Sequence, residues 1–438
     1  MRQAVREPLR KFFKSFLRRR RSEVDLADLP DPSPTMNGTG FTPDPESRIG
    51  RDGAMFARFR QTSAHPAPHP NPKRFGPRPA GASVRDRSCP DAPNRKTASR
   101  GKRPPGNSAV RSEPDRSFTM PGADPGISLC VHAWPLERPA AIVQIAHGMG
   151  ESGARYAGLA AALNAAGYAV YAGDHRGHGR TTGRTPAGPL RQGYAGPDAL
   201  HGMCRDLLAV AAEIDRRHPG APVILLGHSM GSFLAQKLMA DKPAAYAGFI
   251  LTGSSGARAS LPLKLGGLFA AAEARLLSPA FASPTLNALV FGPFGRGFRP
   301  RRTFFDWLSR DEEAVDDFVR LYGGTLFSCG FFRDFFRLLL EIQHPEIPKR
   351  LDRSRPVLLC SGEYDPVGGA QGLRRLRSVY EAAGLEDLEC RLYGGARHEL
   401  AFELNRDEVA ADWIRWLDRH FAAEASADAS RQRNSRQP

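Results

Sequence analysis

The clearest regularity in the chain is a run of short apolar blocks separated by helical-period segments, beginning near residue 127. "ISLCVHAW" (127–134) alternates like a strand, and "AAIVQIA" (140–146) is a continuous apolar run, as expected of a strand buried on both faces. Residues 154–166 predict a helix closed by Gly167, and "YAVYAG" (168–173) predicts the next strand. Residues 198–217 place Leu207, Leu208, Ala211 and Ile214 on one helical face. "PVILLG" (222–227), a helix over 230–240, "GFILTG" (248–253), "RPVLLCSG" (355–362), a helix over 369–383, "LECRLYG" (388–394) and a helix over 406–421 continue the series. Strands alternating with helices predict an α/β fold, a mainly parallel sheet with helices on both faces.

One stretch breaks the alternation. Residues 256–350 have a helical pattern, and eleven phenylalanines fall between 291 and 336. An insertion of that length between two strands is expected to be a subdomain and not a loop. Those aromatics can form its own small core, and together they also suit an apolar substrate pocket over the sheet edge.

Charge changes the picture for the N-terminus only. The 438 residues carry a formal net charge of +16, but residues 1–116 hold 25 Lys and Arg against 12 Asp and Glu, and 17 of the 37 prolines. The rest of the chain is nearly balanced, at 37 against 34. A segment this polar and proline-rich buries too little apolar surface to offset its ordering entropy, so 1–116 and the tail 422–438 are expected to be disordered. Within it, residues 9–21 mix Leu9, Phe12, Phe13, Phe16 and Leu17 with lysines and arginines. That pattern suits a solvated charge run, a basic helix on an anionic membrane, or a nucleic-acid-binding arm. It is also what translated upstream DNA of high GC content would look like, with the native chain then starting near Phe118 or Met120. The six cysteines show no Cys-x-x-Cys spacing and read as reduced core thiols. No apolar run reaches the ~18 residues of a membrane span, and no signal peptide is evident. The expectation is a cytoplasmic protein, peripheral to a membrane if the basic arm engages one, with no specific nucleic-acid partner.

The candidate chemistry lies in "LLGHSMGSF" (225–233). Gly227-His228-Ser229-Met230-Gly231 fits Gly-x-Ser-x-Gly, with an apolar strand before it and a helix after. In that setting the serine sits on a strained turn, and a Cβ at either flanking position would strike neighbouring backbone. A serine hydroxyl needs a base, and the base an orienting acid. The acid is expected after the strand that follows the insertion, where "LLCSGEYDPVGG" offers Asp365 first and Glu363 second. The base is expected after the last strand: His398 in "LYGGARHEL" is favoured over His420 in the final helix. Two N–H groups must face the oxyanion, and the backbone amides of Met230 and of Met149 in "HGMGES" are expected to supply them, with His147 bracing the loop. Asp174, His175 and His178 in "GDHRGHGRT" suggest metal ligands, but the two glycines there fit a turning loop better, and no metal or other cofactor is expected.

Taken together, "HGMGE…RY", "DHRGHG", "GHSMGS", "FDWLSRDEEAVD", "SGEYDPVGG" and "RHEL" resemble the monoglyceride lipase and lysophospholipase group of α/β-hydrolases, which is sometimes classed with serine aminopeptidases. The resemblance covers roughly 118–421. It implies an α/β-hydrolase domain over 117–421 with a helical lid at about 256–350, and metal-free cleavage of the carboxylic ester of a single-acyl lipid. It also implies the same residues: Ser229, Asp365 and His398 as triad, Met149 and Met230 as oxyanion donors. Many relatives carry His after "HGxGE", where this chain has Ser152. The rival readings are an aminopeptidase, for which Glu312, Glu313, Asp316 and Asp317 would have to face a substrate ammonium, and a tethered binding protein acting through the basic arm.

Overall fold

A computed structural model describes residues 116–422. Both expected disordered tails lie outside the described residues, apart from Arg116 and Ala422 at their inner ends.

The described strands form one ten-stranded sheet. In chain order they are β1 (Arg116–Pro121), β2 (Ile127–Trp134), β3 (Ala141–Ala146), β4 (Tyr168–Gly173), β5 (Thr182–Thr185), β6 (Gly188–Pro189), β7 (Val223–His228), β8 (Gly248–Thr252), β9 (Val357–Gly362) and β10 (Leu388–Tyr393). Their spatial order is β10-β9-β8-β7-β3-β4-β2-β5-β6, with β1 on β2. The strands from β10 to β4 run parallel, and β1, β2, β5 and β6 pair antiparallel. This is the mainly parallel sheet that the alternating pattern predicts, in the α/β-hydrolase arrangement that the resemblance implies.

Period-2 geometry sends alternate β3 side chains to opposite faces. Ile142 and Ala146 join the larger core, and Ala141, Val143 and Ile145 the other. Gln144 points into the larger core, where its amide nitrogen donates to the Leu207 carbonyl at 2.9 Å, while its buried amide oxygen has no hydrogen-bond partner among the described residues. The larger core is covered by α2 (Ala199–Arg217), α3 (Met230–Asp241), α8 (Gly369–Ala382) and the insertion; the smaller by α1 (Ala157–Ala165) and α9 (Arg406–Leu417), which contributes Trp413 and Trp416.

Between β8 and β9 the chain forms α4 (Ser260–Leu276), α5 (Pro284–Phe291), α6 (Glu312–Tyr322) and α7 (Cys329–Ile342). α7 buries Phe331, Phe332, Phe335 and Phe336. Phe336 lies flat against Gly266 of α4, where a Cβ would come within 2.8 Å of its ring. A second cluster gathers Trp307, Leu308, Val315 and Phe318. The aromatics therefore divide between two apolar clusters, one continuous with the larger core and one within the insertion.

β1 was not predicted, because "RSFTMP" lies at the end of the polar segment. Its Phe118 is fully buried, with the Arg217 guanidinium 3.7 Å from its ring centroid. Cys204, Cys329, Cys360 and Cys390 are free thiols, whereas Cys130 is disulfide-bonded, against the expectation of reduced thiols. No described helix is long and apolar enough to cross a membrane.

Candidate active site

The carboxyl ends of β3, β7, β8, β9 and β10 line up along one edge, with Ala146 opposite Gly227, His228 opposite Thr252, and Tyr393 opposite Gly362. The loops leaving those ends carry every residue singled out above as catalytic. Parallel sheets place their sites here because all their strand ends, and the helix N-termini that follow, converge on this edge.

Ser229 caps α3 with φ 52° and ψ −117°, a backbone conformation that residues with a Cβ rarely adopt. The turn is held from outside: Ser229 N donates to Thr252 O at 2.9 Å, and the Ser232 hydroxyl donates to Ser229 O at 2.6 Å. Both flanking glycines are required sterically. A Cβ on Gly231 would stand 1.9 Å from the Ala146 carbonyl oxygen, and one on Gly227 2.6 Å from the Gly231 oxygen. The hydroxyl of Ser229 forms no hydrogen bond to another described side chain.

His398 and Asp365 meet. The imidazole Nδ1 lies 2.8 Å from Asp365 Oδ1, which also accepts from Val367 N at 2.8 Å. Nδ1 facing a carboxylate leaves Nε2 as the reactive nitrogen. Burial alone would lower the pKa of His398, but the Asp365 charge and hydrogen bond, with Glu399 and Glu151 behind them, more than offset it and hold it above its ordinary value. For Asp365 burial acts upward and the His398 contact more than reverses it, so the carboxyl stays below its ordinary range. The His398 ring lies 4.8 Å from that of His228, the residue before Ser229. Gly253, at φ +61°, allows the approach: a Cβ there would fall 2.9 Å from His398 Cε1. Burial and then repulsion from His398 push His228 down to about 3, so it is a neutral neighbour.

The second-choice residues go elsewhere. Glu363 is exposed and accepts from Gly395 N at 2.9 Å. His420 bonds the Trp416 carbonyl and Asp387, at the end of α9.

The loop after β3 is braced as its residues suggest. His147 Nε2 accepts from His175 N at 3.0 Å, so its proton sits on Nδ1, which donates to Gly148 O at 2.8 Å. Burial lowers its pKa, consistent with this neutral tautomer. Glu151 takes the Gly148 amide at 2.6 Å. The neighbouring Met149 amide, like that of Met230, donates to no other described residue, so both N–H groups are available.

Asp174 ties the "GDHRGHGRT" loop to itself through Arg180 N at 2.6 Å and to the turn after β3 through Gly153 N at 2.8 Å. Asp174, His175 and His178 do not converge on one centre; among the described residues Asp174 lies near His132 and Cys130 instead, and the Cys130 sulfur is already in a disulfide. Glu151, His228 and Glu399 also place donor atoms within 4.8 Å of one another, but both carboxylates already hold the Arg155 guanidinium. Sequence reasoning missed Trp307, whose ring lies 5.1 Å from that of His398 and closes the site from the insertion. Its segment "FDWLSRDEEAVD" was among the motifs quoted above, but nothing local in it shows which of its side chains meets the imidazole.

The profile of a hydrolase family described as serine aminopeptidase, S33, matches residues 137–405. The chain belongs to this family. Among curated relatives of this S33 hydrolase, human monoglyceride lipase is 29% identical over 312 residues, covering 70% of this chain and 91% of the relative. The monoacylglycerol lipase of Mycolicibacterium smegmatis is 28% identical over 324 residues, 72% of this chain and 99% of the relative. The carboxyl esterase of Bacillus coagulans, solved with glycerol, superposes with a TM-score of 0.61 at 23% identity over 70% of this chain and 98% of its own. These matches agree with the monoglyceride lipase group read from the six motifs, and the solved structure shares the α/β-hydrolase fold. In this S33 hydrolase the four acidic residues that the peptidase reading needs lie at the surface or in ion pairs: Glu312 and Glu313 are exposed, Asp316 pairs with Arg302, and Asp317 pairs with Arg320.

Proposed function

We propose that the protein is a serine hydrolase that cleaves the carboxylic ester of a single-acyl lipid, monoacylglycerol first and lysophospholipid second. The observation that carries this is the buried His398–Asp365 pair beside the strained Ser229 turn. His398 Nε2 takes the proton of Ser229 as Oγ attacks the ester carbonyl, and Asp365 holds the imidazole in the required tautomer. The Met149 and Met230 amides stabilise the oxyanion. Collapse of the intermediate breaks the ester C–O bond, and His398 protonates the departing alcohol, leaving an acyl-serine. Water, deprotonated by His398, then releases the fatty acid. The aromatic cluster of Trp307, Phe294 and Phe318 beside His398 supports an acyl chain as the part recognised, since such rings offer apolar contact and no counter-charge. The relatives' names point the same way, whereas the outward-facing carboxylates give no support to an aminopeptidase.

A fluorophosphonate probe is expected to label the full-length protein at Ser229, read by mass spectrometry of the modified peptide. In a substrate panel, kcat/KM for a monoacylglycerol is expected to exceed that for a lysophospholipid, with a prolyl amide slowest. Preference for the amide would replace this reading with a peptidase one. Activity that survives removal of residues 1–116 is also expected; loss of activity with that segment would favour the basic arm as the functional part.

A further inference from the structure

Three residues in the motifs that resemble the family have no role in the chemistry above: Glu151, Arg155 and Glu399. Their side chains are all buried and meet at one point. Arg155 Nη1 donates to Glu151 Oε2 at 2.7 Å and to Glu399 Oε1 at 2.8 Å, and Nη2 donates to Glu399 Oε2 at 2.9 Å. Glu151 is the residue whose other oxygen holds the Gly148 amide, next to Met149. Glu399 is the residue after His398, and its own amide donates to Leu308 O of the insertion at 2.7 Å. The guanidinium is stacked 4.0 Å from the Phe402 ring centroid and 5.1 Å from that of Phe318 on α6.

This arrangement is poor value as mere packing. Buried ion pairs gain little over apolar residues of the same volume, because desolvation offsets the attraction. Here two carboxylates also share one guanidinium, so one negative charge is left over. Such a cluster is better explained by what it adjoins.

Resting on the triad reading above, we propose that Arg155 is a positioning residue: by gripping Glu151 and Glu399 together it fixes the spacing between the Met149 amide and the His398 imidazole, and the carboxylate charge it leaves unmatched favours the imidazolium formed as Ser229 is deprotonated. The groups around His398 are consistent with this. Asp365 approaches from the β9 loop, neutral His228 from β7, uncharged Trp307 from the insertion, and the Glu151–Arg155–Glu399 cluster from the remaining side. Arg397, adjacent in sequence, turns away to the Ser309 carbonyl at 2.9 Å. Arg258, from the segment after β8, donates to the Val367 carbonyl.

The test compares the full-length wild type with Glu399→Gln and Arg155→Lys, reading kcat and KM for p-nitrophenyl butyrate across pH, with thermal melts alongside. Glu399→Gln keeps the shape and removes the surplus charge. The acid limb of kcat/KM, which reports His398 in the free enzyme, is expected to move to lower pH by about 0.5–1 unit. Arg155→Lys keeps the charge and loses the two-pronged grip; kcat is expected to fall about 10- to 100-fold with KM changed far less. Should Glu399→Gln fail to fold, Glu151→Gln takes its place, with the same direction of pH shift expected. A lower melting temperature with an unmoved acid limb and wild-type kcat in the folded variants would overturn the proposal and leave the cluster structural. A wild type with no esterase activity would instead overturn the triad reading, which separates the two failures.

Discussion

Ser229→Ala is expected to lower kcat/KM for a monoacylglycerol by roughly 10⁴-fold or more while leaving the fold intact. The prediction is large because no other hydroxyl can replace Oγ: Ser232, the nearest serine on the same turn, is fully buried and bonded to the Ser229 carbonyl. Stability should hardly change, since the unfavourable φ of 52° is a property of any residue with a Cβ and alanine inherits it. Ser229→Gly separates the two effects. Glycine relaxes a backbone strain of about 1–3 kcal/mol, less about 0.4–1 kcal/mol for the added freedom of the unfolded chain, so this variant is expected to be inactive yet more stable. Steady-state kinetics and urea melts on the three proteins check both statements. Near-normal hydrolysis by Ser229→Ala would remove Ser229 from the mechanism.

Gly231→Ala is expected to be the most damaging Gly→Ala change among the described glycines. Its Cβ would lie 1.9 Å from the Ala146 carbonyl oxygen and 2.8 Å from that of His147. Those are backbone atoms of the last residue of β3 and of the residue after it, so neither can rotate away as a side chain would. α3 must instead lift from β3, carrying the Met230 amide with it. A cost of about 3 kcal/mol or more is expected, read as a lower urea midpoint or loss of soluble protein, with activity absent in whatever remains folded. Gly158→Ala is the control: it lies on α1 with nothing within 4 Å of the added carbon, and is expected to be neutral or stabilising by up to about 0.5 kcal/mol. If the two variants melt alike, the steric account of the Gly-x-Ser-x-Gly turn is wrong.

Much of the α/β framework was legible because its signals are local. "ISLCVHAW" and "YAVYAG" match β2 and β4 residue for residue, and α2, α3 and α8 differ from the reading by a residue or so at either end. Apolar runs of six are compatible with little but a strand covered on both faces. β5 and β6 were not legible, since four- and two-residue strands at an antiparallel edge carry too few side chains to show a period. The helix expected over 154–166 begins instead with a short 3₁₀ turn at Gly153–Tyr156, drawn tight by the Asp174 carboxylate on the Gly153 amide.

By itself the sequence determined the elbow at Ser229, because the requirement there is local: a strand, a turn too tight for a Cβ on either side, and a helix, all within a dozen residues. It also narrowed the acid and the base to two candidates each, by their place after particular strands. Only the tertiary structure separated Asp365 from Glu363, two residues apart in one loop, by setting one carboxylate against His398 and turning the other to the Gly395 amide at the surface. Only it brought Trp307 over the imidazole and joined Glu151 to Glu399 through one guanidinium. Those contacts link residues from tens to more than two hundred positions apart, and nothing in the local preferences of a chain encodes which distant side chain will share a charge or a face once the sheet has closed around it.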